Sequence, residues 1–365
     1  MGRGKNIWRI LKAASLVAVL GLLYFVLRSI GFRKIIGLIR GMNAPSFYLA
    51  AGLVICVFLL WSFRLQLMMP RRDRGSILLL FPIYMAGVFG NVITPGARVG
   101  GEPIRAYYMA EAFGGPKTGH LGVLIADKLG NLAVFMTFLL ISVSFVALFV
   151  PLRPLFKFAL EGAVLLIIGA IVSGVLLRKH IGFRSGLLNK LVQFLYHEPV
   201  VGFFRSRFKT YQHFEDYVIR KLDNVFSPIA SAAKSPKALT KVILISGAAW
   251  LVYYFAHYIL FQALGADLSF FAVFIIVTIS TFCGDLAFSP GGAGFMEAIM
   301  IGLCAAFGLE QETAAAVTLV SRGIFYFCGI GIGGASFGTL ALLYGRAEKA
   351  STSGGTGEAS ADGET

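Results

Sequence analysis

The 365-residue chain is 57% hydrophobic and only 14% charged, where soluble domains run to about 45–50% and about 25%, so a water-soluble globular protein is excluded. Its 33 Lys and Arg against 18 Asp and Glu leave a formal net charge of +15, which in so apolar a chain reads as basic cytoplasmic loops beside anionic lipid and not as a nucleic-acid surface. Cys56, Cys283, Cys304 and Cys328 all lie in apolar runs with no CxxC pair, and the five histidines lack ligand spacing, so neither a disulfide framework, a metal site nor a cofactor is expected.

A basic start (Arg3, Lys5, Arg9, Lys12) leads into an apolar run at 13–27. No small-residue cleavage site follows, so the pattern predicts an uncleaved first span with its N-terminus in the cytoplasm. Residues 28–41 place four basic groups among apolar ones, the pattern of an interfacial helix. A second span is predicted at about 46–69, ending at Arg71-Arg72-Asp73-Arg74, and an apolar run broken by Pro82 occupies 77–92. Further spans are predicted at 121–150 and 158–177.

Segment 178–241 differs in kind, with twelve Lys and Arg against four Asp and Glu. Phe204, Phe208, Tyr211, Phe214, Val218, Leu222 and Val225 recur there at helical spacing, so it reads as a basic amphipathic helix on the membrane or the base of the bundle. Spans at 242–264, 269–288 and 313–344 follow. The tail 346–365 is rich in Ser, Gly, Thr, Ala and Glu and is expected to be disordered.

Two interruptions organise this pattern. Pro95-Gly96 is followed after five residues by Glu102, and Pro290-Gly291 after five residues by Glu297, an offset of 195. The same offset carries Asp127 onto Arg322. Backbone breaks at membrane depth are tolerated only inside protein or along a polar cavity, and ionisable residues there are costly and usually functional. The candidate substrate-binding residues are therefore Arg98, Glu102, Arg105, Asp127, Lys128, Asp285, Glu297 and Arg322. Asn91, Pro95, Gly96, Gly101, Pro290, Gly291, Gly292 and Gly294 are expected to line the cavity with backbone. Plainer readings stand beside these: Glu102 and Arg105 form an i, i+3 pair, Asp285 caps a turn, the glycines serve close packing, and Glu102 with Lys128 and Glu297 with Arg322 are internal ion pairs.

Basic segments at 1–12, 64–74 and 178–241 mark the cytoplasmic side, and the tail is placed there with them. Parity then makes 77–118 a hairpin entered from the cytoplasm and 269–312 one entered from outside. The expected fold is an all-α polytopic membrane protein: an inverted-topology repeat with two broken or re-entrant hairpins around a central polar cavity. Repeat one is placed at about 77–177 and repeat two at about 242–345, within a single domain spanning 1–345. Glu102 and Glu297 are expected to approach each other near the bilayer midplane. The positive loop at 28–41 lies on the outer side in this scheme, against the charge rule.

At these motifs the chain resembles flippase-like membrane proteins related to the transmembrane region of lysylphosphatidylglycerol synthases, including the membrane half of the multiple peptide resistance factor. The resemblance rests on Pro95, Gly100, Gly101, Glu102 and Arg105, on Pro290, Gly291, Gly292, Gly294 and Glu297, and on Arg322. Where the family carries a Glu-Arg pair this chain has Asp127-Lys128, which keeps each charge but replaces a two-pronged guanidinium with a point charge. The resemblance covers about residues 7–345 and implies lipid translocation between leaflets around a central polar cavity, without the aminoacyl transfer of the two-part relatives. The leading expectation is a cell-membrane flippase or transporter of a phosphate-bearing phospholipid or lipid-linked headgroup, aminoacylated or polyprenyl-linked ones included, and not an enzyme, with Glu102 and Asp127 as candidate proton carriers. A membrane enzyme on lipid-linked substrates and a scaffold of a lipid or glycan pathway are the alternatives. The sequence leaves homo-oligomerisation open.

Overall fold

The computed structural model describes residues 32–70, 74–94, 100–149, 220, 224, 227, 235–287 and 289–354. Every regular element among them is helical. The spans expected at 13–27 and 158–177 and nearly all of 178–234 lie outside the described residues, as do Pro95, Gly96 and Arg98.

In chain order the helices are α1 (Phe32–Arg40), α2 (Ala44–Met68), α3 (Ile77–Ile93), α4 (Gly101–Phe113), α5 (Lys117–Phe149), α6 (Pro236–Ala263), α7 (Phe270–Leu286), α8 (Phe295–Ala306), α9 (Gln311–Tyr326) and α10 (Gly333–Gly354). A single 3-10 turn, Pro290–Gly292, separates α7 from α8, and a π-helical segment, Phe327–Ile332, joins α9 to α10. Among the described residues four helices are long and apolar enough to cross a membrane: Ala44–Met68, Lys117–Phe149, Pro236–Ala263 and the continuous run Gln311–Tyr344.

The caps explain the helix starts. Asn43, Ser76, Ser235 and Ser269 each accept a hydrogen bond from the first turn of α2, α3, α6 and α7, each contributing about 1 kcal/mol. Ser235 followed by Pro236 starts α6 several residues before the expected 242, because proline at the first helical position needs no donor. At the other end of the chain α10 runs to Gly354, into the tail expected to be disordered from 346. Arg346-Ala347-Glu348-Lys349-Ala350 are strong helix formers, and extending an existing helix avoids the cost of nucleation.

α2 and α6 form the central pair and run antiparallel. Asn43 N–H, at the start of α2, donates to Ala263 O at the end of α6 over 3.3 Å, while Arg64 near the end of α2 bonds Ser246 near the start of α6. Trp61 meets Trp250 edge-on at 5.6 Å, and Trp250 stacks on Phe135 of α5 at 4.7 Å. Around this pair α3 packs on α10 and α7 packs on α5. Close approach is what holds helices together in lipid: a Cβ on Gly333 would lie 2.7 Å from Met85 O, so only glycine lets α10 lie this near α3. The nine-residue α1 lies on α9 with Ile35 buried and Arg33 and Arg40 exposed, an amphipathic helix as its composition predicts.

Candidate functional site

Helices α2 to α7, with one ring from α9, supply the site. α4 begins where Gly101 N–H donates to Asn91 Oδ1 over 2.7 Å, so a side chain of α3 satisfies one of the helix-start donors that lipid cannot. This seats Glu102 and Arg105 on the first turns of α4, both buried. Arg105 lies with its guanidinium carbon 3.9 Å from the centre of the Tyr84 ring and donates to Tyr84 O over 3.2 Å. Its contact with Glu102 Oε1 is 3.4 Å. Lys128 Nζ, from α5, donates to the same Oε1 over 3.2 Å, and its side chain is 47% exposed. Both plain pairings of Glu102 are therefore present at once.

One residue that matters was not foreseen. Arg64 of α2 is 3% exposed. Its Nε and Nη2 donate to Asp127 Oδ1 and Oδ2 over 2.7 and 2.8 Å, and its Nη1 reaches Asn131 and Ser246. Trp250 Nε1 donates to Asn131 as well. The sequence reading assigned Arg64 to a cytoplasmic flank, because it sits just before Arg71–Arg74. Asp127, a buried carboxylate needing a cation of its own, was the signal that could have found it. Both Asp127 oxygens are taken by this bond.

These groups wall a cavity of about 190 Å³ between α2, α3, α4, α5, α6, α7 and α9. Arg64, Arg105, Lys128, Glu102, Asp127 and Asp285 line it, three cations and three anions, together with Asn91 and the rings of Trp61, Trp250 and Phe325 among others. Six of the eight expected charged residues are accounted for here or outside the described region, Arg98 being the latter. The other two, Glu297 and Arg322, are not among the walls.

They form a separate buried pair. Arg322 Nε donates to Glu297 Oε1 over 2.7 Å, its Nη2 donates to Gly291 O and Tyr326 Oη over 2.7 and 2.8 Å, and its Nη1 lies 3.2 Å from Met296 Sδ. The second Glu297 oxygen accepts Gly294 N–H over 2.6 Å. Every oxygen of the carboxylate and every nitrogen of the guanidinium is engaged, so this pair fastens the Pro290–Gly294 turn to the start of α8 and to the last turns of α9. Pro290, Gly291, Gly292, Gly294 and Gly101 likewise stand outside the cavity walls, contrary to expectation. Their glycines serve tight turns: Gly291, Gly292 and Gly294 have φ of 59, 74 and 86°, left-handed values that glycine adopts without strain. The turn nevertheless packs on α3 near Val92.

Outside this site, His120 and His257 bond the backbone carbonyls of Gly114 and Tyr253. No group of three or more His, Cys, Asp and Glu is placed to hold a metal among the described residues.

The chain is similar to UPF0104 membrane proteins of archaea. It is 26% identical over 251 residues to one of Methanothermobacter thermautotrophicus, covering 68% of this chain and 71% of the relative. It is 24% identical over 313 residues to one of Methanocaldococcus jannaschii (82% and 86%) and 25% over 296 residues to one of Pyrococcus horikoshii (79% and 85%). With residues 12–333 matching the family model described as the lysylphosphatidylglycerol synthase TM region, this membrane protein belongs to that family.

Proposed function

We propose that this protein moves a phosphate-bearing lipid headgroup between leaflets through the cavity walled by Glu102 and Lys128, within an inverted-topology repeat. The observation that carries the reading is a polar cavity, with six ionisable residues in its walls, inside a bundle whose outer surface is apolar. Such groups are expensive at membrane depth unless a polar ligand or water path needs them. Lys128 is the most open of the three cationic side chains in the cavity walls, so the phosphate belongs at its side of the cavity. The acyl chains stay in the bilayer beside the exposed Leu129 and Leu132 of α5.

Helix boundaries support the repeat. Shifting the first half by 195 residues takes Ala44–Met68 to 239–263, beside Pro236–Ala263, and Ile77–Ile93 to 272–288, beside Phe270–Leu286. It takes Gly101–Phe113 to 296–308, beside Phe295–Ala306, and Lys117–Phe149 to 312–344, beside Gln311–Tyr344. The packing exchanges in the same way, α3 on α10 answering α7 on α5. The equivalent helices α2 and α6 run antiparallel, as inversion requires. On this correspondence repeat one starts with α2, not at 77. α3 and α7, at 17 residues each, reach about 25 Å and fall short of a hydrocarbon core of about 30 Å, which favours re-entrant hairpins.

Reconstituted vesicles with headgroup-labelled phospholipids test the function. Wild type should move label between leaflets, and Glu102→Gln should slow this at least about tenfold while the protein stays folded. Unchanged transport in the variant, or none in wild type with any phospholipid class tried, sinks the reading. A chemically altered lipid in the same vesicles would instead indicate an enzyme.

A further inference from the structure

The cavity's charges are balanced and mutually engaged. Arg64 is spent on Asp127, Asn131 and Ser246, and Lys128 and Arg105 both turn to Glu102. With three cations against three anions on its walls, the wall charges sum to zero and select neither an anion nor a cation by net charge. What remains unsatisfied is polar in both senses. Trp61 Nε1, Thr281 Oγ1 and Glu102 Oε2 are buried atoms of wall residues with no hydrogen-bond partner among the described residues.

These three atoms differ in kind. An indole nitrogen only donates, a carboxylate oxygen only accepts, and a threonine hydroxyl does both. An ammonium ligand has no acceptor for Trp61, and a phosphate has no donor for Glu102. A group of several hydroxyls answers all three at once. The walls suit such a group in their apolar part too, since Trp61, Trp250 and Phe135 present a run of aromatic surface, against which the C–H faces of a polyol ring can lie. The cavity of about 190 Å³ is many times the roughly 10–15 Å³ that one water needs, space for a ring-sized group and not just for a single ion.

We propose that the inner cavity receives an uncharged, hydroxyl-rich group, such as a cyclitol or glycosyl ring, attached beyond the phosphate of the transported headgroup. The phosphate then stays at Lys128 and the ring lies between Trp61, Thr281 and Glu102. The placement of the phosphate rests on the transport reading; the preference for the ring does not.

Three lipids that share a phosphate and acyl chains but differ beyond it decide the matter: phosphatidylinositol, phosphatidylethanolamine and phosphatidic acid. Each is titrated onto the purified full chain in detergent, with binding read by native mass spectrometry and by the shift in melting temperature. Phosphatidylinositol should bind at least about tenfold more tightly than the other two. Trp61→Phe, which keeps the ring and loses the donor, and Thr281→Val should each weaken it about three- to tenfold, the worth of one hydrogen bond. Both should leave phosphatidic acid binding unchanged, and Thr281→Ser should retain wild-type preference. Equal or tighter binding of phosphatidylethanolamine or phosphatidic acid overturns the inference, as does an undiminished preference in Trp61→Phe and Thr281→Val proteins that melt like wild type. Flipping assays with the same lipids separate the two proposals: transport without inositol preference removes this one alone, and inositol preference without transport removes only the transport reading.

Discussion

Arg64 and Asp127, 63 residues apart in sequence, close a two-pronged ion pair of 2.7 and 2.8 Å that fixes α2 to α5 inside the bundle. With Asn131, Ser246 and Trp250 joined to it, the bond also ties both helices to α6. Both residues line the cavity, so the pair is a rigid part of the wall beside the softer contacts of Glu102.

Removing one partner of such a pair leaves a charge buried without compensation, at a cost of about 3–5 kcal/mol. Arg64→Ala should therefore lower the melting temperature of the purified protein sharply, and Asp127→Ala should do likewise. The double variant Arg64→Ala/Asp127→Ala should be less damaged than the sum of the two. A strictly additive double variant would mean that the pair does not act as a unit.

The glutamates of the two Pro-Gly motifs should behave differently. Glu297 has both oxygens occupied at 2.6 and 2.7 Å and faces an arginine that is itself fully engaged. Glu102 has contacts of 3.2 and 3.4 Å and one oxygen without a partner among the described residues. Glu297→Gln should cost about 2 kcal/mol or more beyond Glu102→Gln in thermal unfolding, in keeping with the value of charged hydrogen bonds. Transport should show the reverse order of sensitivity among the folded protein. Equal stabilities would deny the division of roles between the halves.

Much of this was legible in the sequence, for a physical reason. Ionisable residues in apolar runs must find partners, so the pairs Glu102–Lys128 and Glu297–Arg322 followed from spacing and the 195-residue offset. Arg64 escaped because an arginine two turns before a basic cluster looks like part of the cytoplasmic flank, and only tertiary packing draws it inward. The different fates of Glu102 and Glu297 escaped as well. Identical Pro-Gly spacing sets the backbone break, but whether the carboxylate faces a cavity or a saturated arginine depends on helices distant in sequence. The lining role expected of Gly291, Gly292 and Gly294 failed on the same ground, their positive φ serving the turn itself.

Gly292 offers a sharp local test. Its φ is 74°, and a Cβ there would come within 2.6 Å of Gly284 O. Both the left-handed backbone and the clash with a main-chain atom that cannot swing away oppose any side chain, at about 1–3 kcal/mol for the backbone alone. Gly292→Ala should destabilise by at least that amount, whereas Gly302→Ala, within α8 and with open space around it, should be neutral or slightly stabilising through helix propensity. Matching melting temperatures for the two variants would show that the turn is looser than its geometry implies.

The antiparallel pairing of α2 and α6 makes a prediction about sidedness. Arg74 follows the C-terminal end of α2 and Asp267 that of α6, and both are exposed. If the equivalent helices cross the membrane in opposite senses, these two positions face opposite compartments, Arg74 the cytoplasm by its basic neighbours and Asp267 the outside. In a background with Cys56, Cys283, Cys304 and Cys328 replaced by alanine, Arg74→Cys should react with a membrane-impermeant maleimide only after the cells are opened. Asp267→Cys should react in intact cells. The Arg74 side chain donates to Leu67 O and Met69 O, so its loss frays only the last turn of α2 and leaves the pairing with α6 in place. Both positions labelling from one side would break the inverted repeat, and with it the argument that α3–α4 and α7–α8 enter the bilayer from opposite faces.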